Sequence, residues 1–190
     1  VEPDSAGGGI IPADASLVQK YPTIRAVLAA GALAEVASWA SGKKPSLKLD
    51  AIRYLPPLHD AGMIICIGVN YPKRHPVDGD VPPPKDISLF IKTHDALTGH
   101  NEPLEYPKGE PAKTFDYEGE LVLVIGKAGR HISKEKAFDH IAGYTIMNDG
   151  SVRGWQKHSV GAGKNFNASG GCGPWFTTAD EIADIGAMQL

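Results

Sequence analysis

Apolar and polar positions follow two different rhythms along this chain. Between Thr23 and Ser41, the residues Ile24, Val27, Leu28, Leu33, Val36 and Trp39 recur at roughly helical spacing. Gly31 interrupts that run, which predicts two short helices. From about residue 60 the texture changes. Met63 to Ile67, closed by Gly68, reads as a short buried strand; Ile87 to Lys92 reads as a second, and Phe115 to Gly126 as a longer third. Tyr144 to Met147 is a fourth. Ser133 to His140 carries helical signals with Ser133 as the N-cap, and Ser151 to His158 predicts a short helix. Leu47 to Leu58, with Pro56 and Pro57, is a connector, and residues 1–14 form an irregular lead-in. Strands separated by long loops with few helices predict an α+β fold rather than a doubly wound parallel sheet. The change in texture divides an N-terminal segment, 1–60, from a domain over 61–190.

Composition narrows the field without redirecting it. The 190 residues are 42% hydrophobic and 22% charged, with a net charge of -3, which is the profile of a folded globular chain. That near-neutral balance predicts neither a nucleic-acid partner nor an anionic membrane surface. No apolar run reaches transmembrane length, and the first residues lack the basic and apolar regions of a signal peptide. Cys66 and Cys172 have no CxxC partner and stand far apart, which predicts two small buried hydrophobes in a reducing, cytoplasmic compartment.

Candidate chemistry concentrates in the third strand. On an extended chain Phe115, Tyr117, Leu121, Leu123 and Ile125 share one face, while Asp116, Glu118 and Glu120 share the other, followed by Val122 and Val124. The acids therefore sit beside a core. Carboxylates at i and i+2 lie about 6–7 Å apart and repel by roughly 2–3 kcal/mol at an effective dielectric of about 20. A bound cation, shared protons or solvation at the strand end can relieve that repulsion. Asp149, at the end of the following strand, is placed to add a fourth carboxylate. Oxygen donors without cysteine or paired histidine suit a hard ion, Mg²⁺ or else Mn²⁺ or Ca²⁺. The alternative is an edge strand wearing acids against aggregation.

A polar cluster follows: Asn148, Asp149, Ser151, Arg153 and Gln156, then Lys164 in a Gly-rich stretch that does not match a phosphate-binding loop. Arginine and lysine beside a carboxylate-held ion suit an anionic substrate bearing a carboxylate. The same lysine is also compatible with a solvated surface loop. His94, His100, His131, His140 and His158 lack paired spacing and read as surface or capping residues. His75 differs, because Asp78 follows it within a Pro-rich segment, and a histidine oriented by a carboxylate is a common way to activate water.

Taken in order, Gly68-Val69-Asn70-Tyr71 with His75, Asp116-Tyr117-Glu118-Gly119-Glu120-Leu121, Asn148-Asp149 with Ser151, Arg153 and Gln156, Gly163-Lys164 with Phe166, and Gly173-Pro174-Trp175 resemble the fumarylacetoacetate hydrolase family. The resemblance spans residue 62 to about 182. It implies a mixed-sheet roll behind the helical N-terminal segment, and a catalytic divalent ion, Mg²⁺ first, on Glu118, Glu120 and Asp149. It also implies a catalytic His75–Asp78 pair on a lid, catalytic Lys164, and Tyr71, Arg153 and Gln156 lining the substrate pocket. Three residues separate Tyr71 from His75 where the family has two, and Asp78 stands where the family has Glu. Family members continue past the position of Leu190, so the last strands of the roll are expected to be missing.

The implied reaction is metal-dependent hydrolytic C–C cleavage of a small acylpyruvate or 2,4-dioxo acid. Decarboxylation of an oxaloacetate-type acid and isomerisation of a hydroxymuconate-like diene remain open, as does a non-catalytic metal-binding protein. The implied partners are an anionic 2-oxo acid and a second copy of the chain in a homodimer. The segment from Tyr71 to Asp86, rich in proline, is expected to order only over bound substrate.

Overall fold

The computed structural model describes residues 8–71 and 84–188. A pair of two-residue strands, β1 (Gly9–Ile10) and β2 (Leu47–Lys48), brackets three helices: α1 (Ala15–Lys20), α2 (Ile24–Ala29) and α3 (Leu33–Ala40). The two helices expected between Thr23 and Ser41 are α2 and α3, whereas α1 was not expected and β1 and β2 lie in stretches read as lead-in and connector. Asp14 caps α1 by accepting from Leu17 N, Thr23 caps α2 through Ala26 N, and Gly31 takes φ +63° between α2 and α3. Trp39 on α3 donates its indole N–H to Asp14, which ties the first helix to the third. The Thr23 hydroxyl donates to Asp60 Oδ2, and Arg25 donates to the Asp60 carbonyl. These contacts anchor the helices to the chain just ahead of the main sheet.

The remaining strands are β3 (Ile64–Gly68), β4 (Ser88–Lys92), β5 (Leu97–Thr98), β6 (Phe115–Asp116), β7 (Gly119–Ile125), β8 (Ile141–Asn148), β9 (Ser151–Val152), β10 (Gly170–Cys172) and β11 (Thr177–Thr178). β8 organises them. Along one side it pairs antiparallel with β7, from Gly119↔Asn148 to Val124↔Gly143, with an irregularity before Ile125. Along the other side its last residues pair with β10 and its first with β11. β10 in turn pairs parallel with β5, so the sheet is mixed, as expected. β3 and β4 form a separate antiparallel pair in register from Ile64↔Lys92 to Gly68↔Ser88.

Three expectations need correction. The single strand expected from Phe115 to Gly126 is two. β6 pairs with β9, and then β7 pairs with β8, with the change of partner at Tyr117 and Glu118. Asp149 N donates to the Glu118 carbonyl at 2.8 Å, which fastens the crossing point. The helix expected at 133–140 is a pair of 3-10 turns, Lys134–Lys136 and Phe138–His140, and Ser133 makes no side-chain cap. Phe138 is largely exposed, so no apolar stripe holds a longer helix against the sheet. Ser151 to His158 opens as β9 before a 3-10 turn, Arg153–Lys157. Conversely, the glycine-rich stretch before Lys164 is a short helix, α4 (Val160–Lys164), capped by Ser159 Oγ accepting from Ala162 N.

The two faces of β7 differ, but it is the even face carrying the acids that packs inward, while the apolar odd face is largely open among the described residues. Val124 is buried and Glu120 half-buried on the even face, while Leu123 and Ile125 on the odd face are exposed. The deepest side chains of the described residues are largely polar: Lys92, Asp149, Ser151 and Ser169, with Val152. The turn carrying Asp149 is packed too closely to admit a side chain. A Cβ on Gly150 would lie 1.7 Å from the Ser169 carbonyl oxygen, and one on Gly170 would lie 2.5 Å from that of Asn148. Glycine at both positions lets the two backbones touch. Gly150→Ala should therefore lower stability by about 1–3 kcal/mol, the usual cost of overpacking a tight site. Urea unfolding monitored by circular dichroism measures it, and an unchanged midpoint would mean the turn is looser than described.

Candidate metal centre

β7, the β8–β9 turn and α4 converge on one cluster of charge. Glu118 and Glu120 come from the strand face read in the sequence, and Asp149 comes from the end of β8. One carboxylate oxygen from each lies within 4.8 Å of the others. Asp149 is almost fully buried, and the two glutamates are partly exposed. Asn148 steadies the group by accepting from Glu118 N at 3.3 Å, and the Ser151 hydroxyl donates to the Asp149 carbonyl at 2.8 Å.

Cations surround these acids. Lys164 Nζ donates to Asp149 Oδ2 at 2.8 Å and also contacts Glu118 Oε2. Its ammonium lies 5.3 Å from the centre of the Phe90 ring. The alternative of a solvated lysine is therefore ruled out, since its side chain is only 5% exposed. Arg153 Nη1 pairs with Glu118, and its Nε and Nη2 donate to Asp116 Oδ2 at 3.2 and 3.0 Å. Tyr71 OH accepts from Leu121 N at 2.9 Å and faces Glu120. Gln156 packs against Gly163 of α4, where a Cβ would come within 2.6 Å of Gln156 Cγ. The expected set is thus gathered here apart from His75 and Asp78, which lie outside the described residues.

One member of the cluster was not read from the sequence. Lys92, at the end of β4, has a completely buried side chain whose Nζ donates to Asp149 Oδ1 at 2.6 Å. The available signal was a lysine closing an apolar strand, which by itself points as well to a solvated strand end. Asn165 is a second omission. It links α4 to β4 by donating to the Ile91 carbonyl and accepting from Thr93 N.

The electrostatics favour an added cation. Burial raises the pKa of Glu120, and the neighbouring Glu118 charge raises it further. Four carboxylates (Asp116, Glu118, Glu120, Asp149) face three cations (Lys92, Lys164, Arg153), leaving the cluster formally one negative. A divalent ion would reverse that sign and make the pocket attractive to an anion. Three clustered oxygen donors with no sulfur or imidazole fit a hard divalent ion.

The sequence profile described as fumarylacetoacetate (FAA) hydrolase C-terminal matches residues 63–190, and the chain belongs to that family. An oxaloacetate tautomerase, fahd2, from Xenopus laevis mitochondria is 39% identical over 137 residues, which is 70% of this chain and 42% of that protein. A 2-hydroxyhepta-2,4-diene-1,7-dioate isomerase from Mycobacterium marinum is 33% identical, with a TM-score of 0.59 over 73% of this chain and 50% of that one. A fumarylacetoacetate hydrolase from Exiguobacterium antarcticum is 27% identical, with a TM-score of 0.63 over 87% and 59% of the two chains. The chain spans about half the length of the relatives it matches.

Two predictions follow from the geometry. Glu120→Ala should weaken Mg²⁺ or Mn²⁺ binding by well over about tenfold, whereas Asp116→Ala, which removes a partner of Arg153 and of Tyr117 N but none of the three clustered donors, should weaken it far less. Calorimetry of both variants decides, and equal affinities would remove Glu120 from the ligand set. The thiols should be inert. Burial pushes both Cys66 and Cys172 up to about 11, so roughly one thiol in a thousand is ionised at pH 8. Thiol labelling of the native protein should be slow until denaturant is added; fast native labelling would contradict the burial of these residues.

Proposed function

We propose that this protein performs divalent-metal-assisted enol chemistry on a small 2-oxo dicarboxylic acid, moving a proton between C3 and the C2 oxygen. The observation carrying this reading is Lys164 Nζ, held against Asp149 and Glu118 beside the acidic triad. Glu118, Glu120 and Asp149 would hold Mg²⁺, with Mn²⁺ or Ca²⁺ as substitutes. The ion would supply Lewis-acid polarisation of the substrate's keto and carboxylate oxygens. The Lys164 ammonium is fixed in place before substrate arrives, so it can stabilise negative charge on the C2 oxygen without reorganising. Arg153, at the exposed rim, would meet the far carboxylate, with Gln156 behind it. Tyr71 would steady Glu120. His75, oriented by Asp78, would accept the C3 proton.

The substrates named for the tautomerase and the isomerase support this choice over hydrolysis. Oxaloacetate and the heptadienedioate are both four- to seven-carbon dicarboxylates interconverting through an enol. Hydrolytic cleavage of an acylpyruvate is the second reading, favoured by the likeness to the Exiguobacterium hydrolase. It shares the enolate and adds an activated water, which His75 and Asp78 would supply. In both readings the catalytic unit is residues 61–190, working in a cytoplasmic homodimer. Among the described residues no helix is long and apolar enough to cross a membrane.

The deciding experiment follows enol–keto conversion of oxaloacetate and cleavage of an acylpyruvate, each with Mg²⁺ and with EDTA. Tautomerisation that stops with EDTA and falls about 10²–10³-fold in Lys164→Ala is expected. Acylpyruvate cleavage lost in His75→Ala would favour the hydrolase instead. Turnover indifferent to EDTA would refute both.

A further inference from the structure

Lys92 is the most deeply buried cation of the described residues, and none of the proposed chemistry uses it. Its Nζ makes two contacts that matter to the site. It donates to Asp149 Oδ1 at 2.6 Å and to the backbone carbonyl of Lys164 at 2.7 Å. Asp149 is therefore gripped at one oxygen from the β4 side, while Oδ2 faces Glu118 and Lys164. The carbonyl contact fixes the last turn of α4, whose terminal residue carries the Lys164 ammonium. β4 supports that ammonium a second time through Phe90, two residues earlier on the same strand face.

We propose that Lys92 is a positioning residue, which orients Asp149 as a single-oxygen metal ligand and sets the place of Lys164 through the α4 carbonyl. This rests on the reading of Glu118, Glu120 and Asp149 as a metal site. A buried ammonium held by two hydrogen bonds fixes a carboxylate oxygen more firmly than solvent does, because a charge-assisted bond in a dry site is strong and costly to break. Without it, Asp149 would be a buried charge free to turn toward Lys164 with both oxygens. The effect on the ion resembles that of other partners that orient metal ligands, whose loss typically weakens metal binding about 10–100-fold.

The test titrates Mn²⁺ into the full chain by calorimetry for wild type, Lys92→Met and Lys92→Gln, with Glu118→Gln as the control for the site. Lys92→Met preserves the stem but removes the charge; Lys92→Gln keeps a donor in case the methionine variant does not fold. Near-ultraviolet circular dichroism identifies the folded variants. The expected result is a loss of about 10–100-fold in Mn²⁺ affinity for Lys92→Met and a smaller loss for Lys92→Gln, with native spectra. A buried lysine that serves stability alone would lower the unfolding midpoint and leave the affinity of the folded variant at the wild-type value, which overturns the proposal. If Glu118→Gln also binds like wild type, the metal site itself is wrong; if only the Lys92 variants do, the positioning role alone falls.

Discussion

A buried ionic core, Lys92–Asp149–Lys164, is the constraint to which the rest of this structure answers. Three charged side chains with 5% exposure or less meet at distances of 2.6 and 2.8 Å. Removing such charges from water costs several kcal/mol each, and breaking one partner leaves an uncompensated charge, so the elements carrying them must be held in register. β4 brings Lys92, the β8–β9 turn brings Asp149 and α4 brings Lys164. The connecting contacts follow from that demand: Asn165 bridging β4 and α4, Ser151 on the Asp149 carbonyl, and Gly150 pressed against Ser169. The interior around this cluster is polar and charged, which is a poor way to gain stability and a good way to fix geometry.

The same cluster explains why the acids along β6 and β7 and at the link between them tolerate one another. Glu118 is contacted by both Lys164 and Arg153, and Asp116 by Arg153, whereas among the described residues Glu120 makes no ion pair of its own. Its pKa is raised by burial and by Glu118, while Tyr71 and the Lys164 charge pull the other way. The arrangement stores unfavourable charge at the point where a divalent ion would lie. Enzymes commonly concentrate such perturbed groups where chemistry occurs.

Much of this was legible in the sequence, for identifiable reasons. Period-two alternation, a short-range fact, placed Glu118 and Glu120 on one face; Asp149 comes within reach through the pairing of Gly119 with Asn148, and was legible as a carboxylate closing the following strand. The N-terminal helices were legible because Thr23 and Gly31 mark their ends locally. What sequence periodicity could not report was choice of partner. The break between β6 and β7 exists because the strand leaves β9 for β8, and the turns at 134–140 exist because nothing apolar awaits a longer helix. Lys92 was invisible for the same reason: its carboxylate lies 57 residues away. The pairing of His75 with Asp78 was suggested by their spacing and strengthened by the family resemblance; both lie outside the described residues.

The central claim, that Glu118, Glu120 and Asp149 form a divalent cation site, is tested most directly by locating the ion. Crystals of the protein soaked in Mn²⁺ should give one dominant anomalous difference peak between the carboxylates of Glu118, Glu120 and Asp149, lost when Mn²⁺ is replaced by EDTA. A dominant peak elsewhere, or none at a concentration that saturates binding in solution, would contradict it.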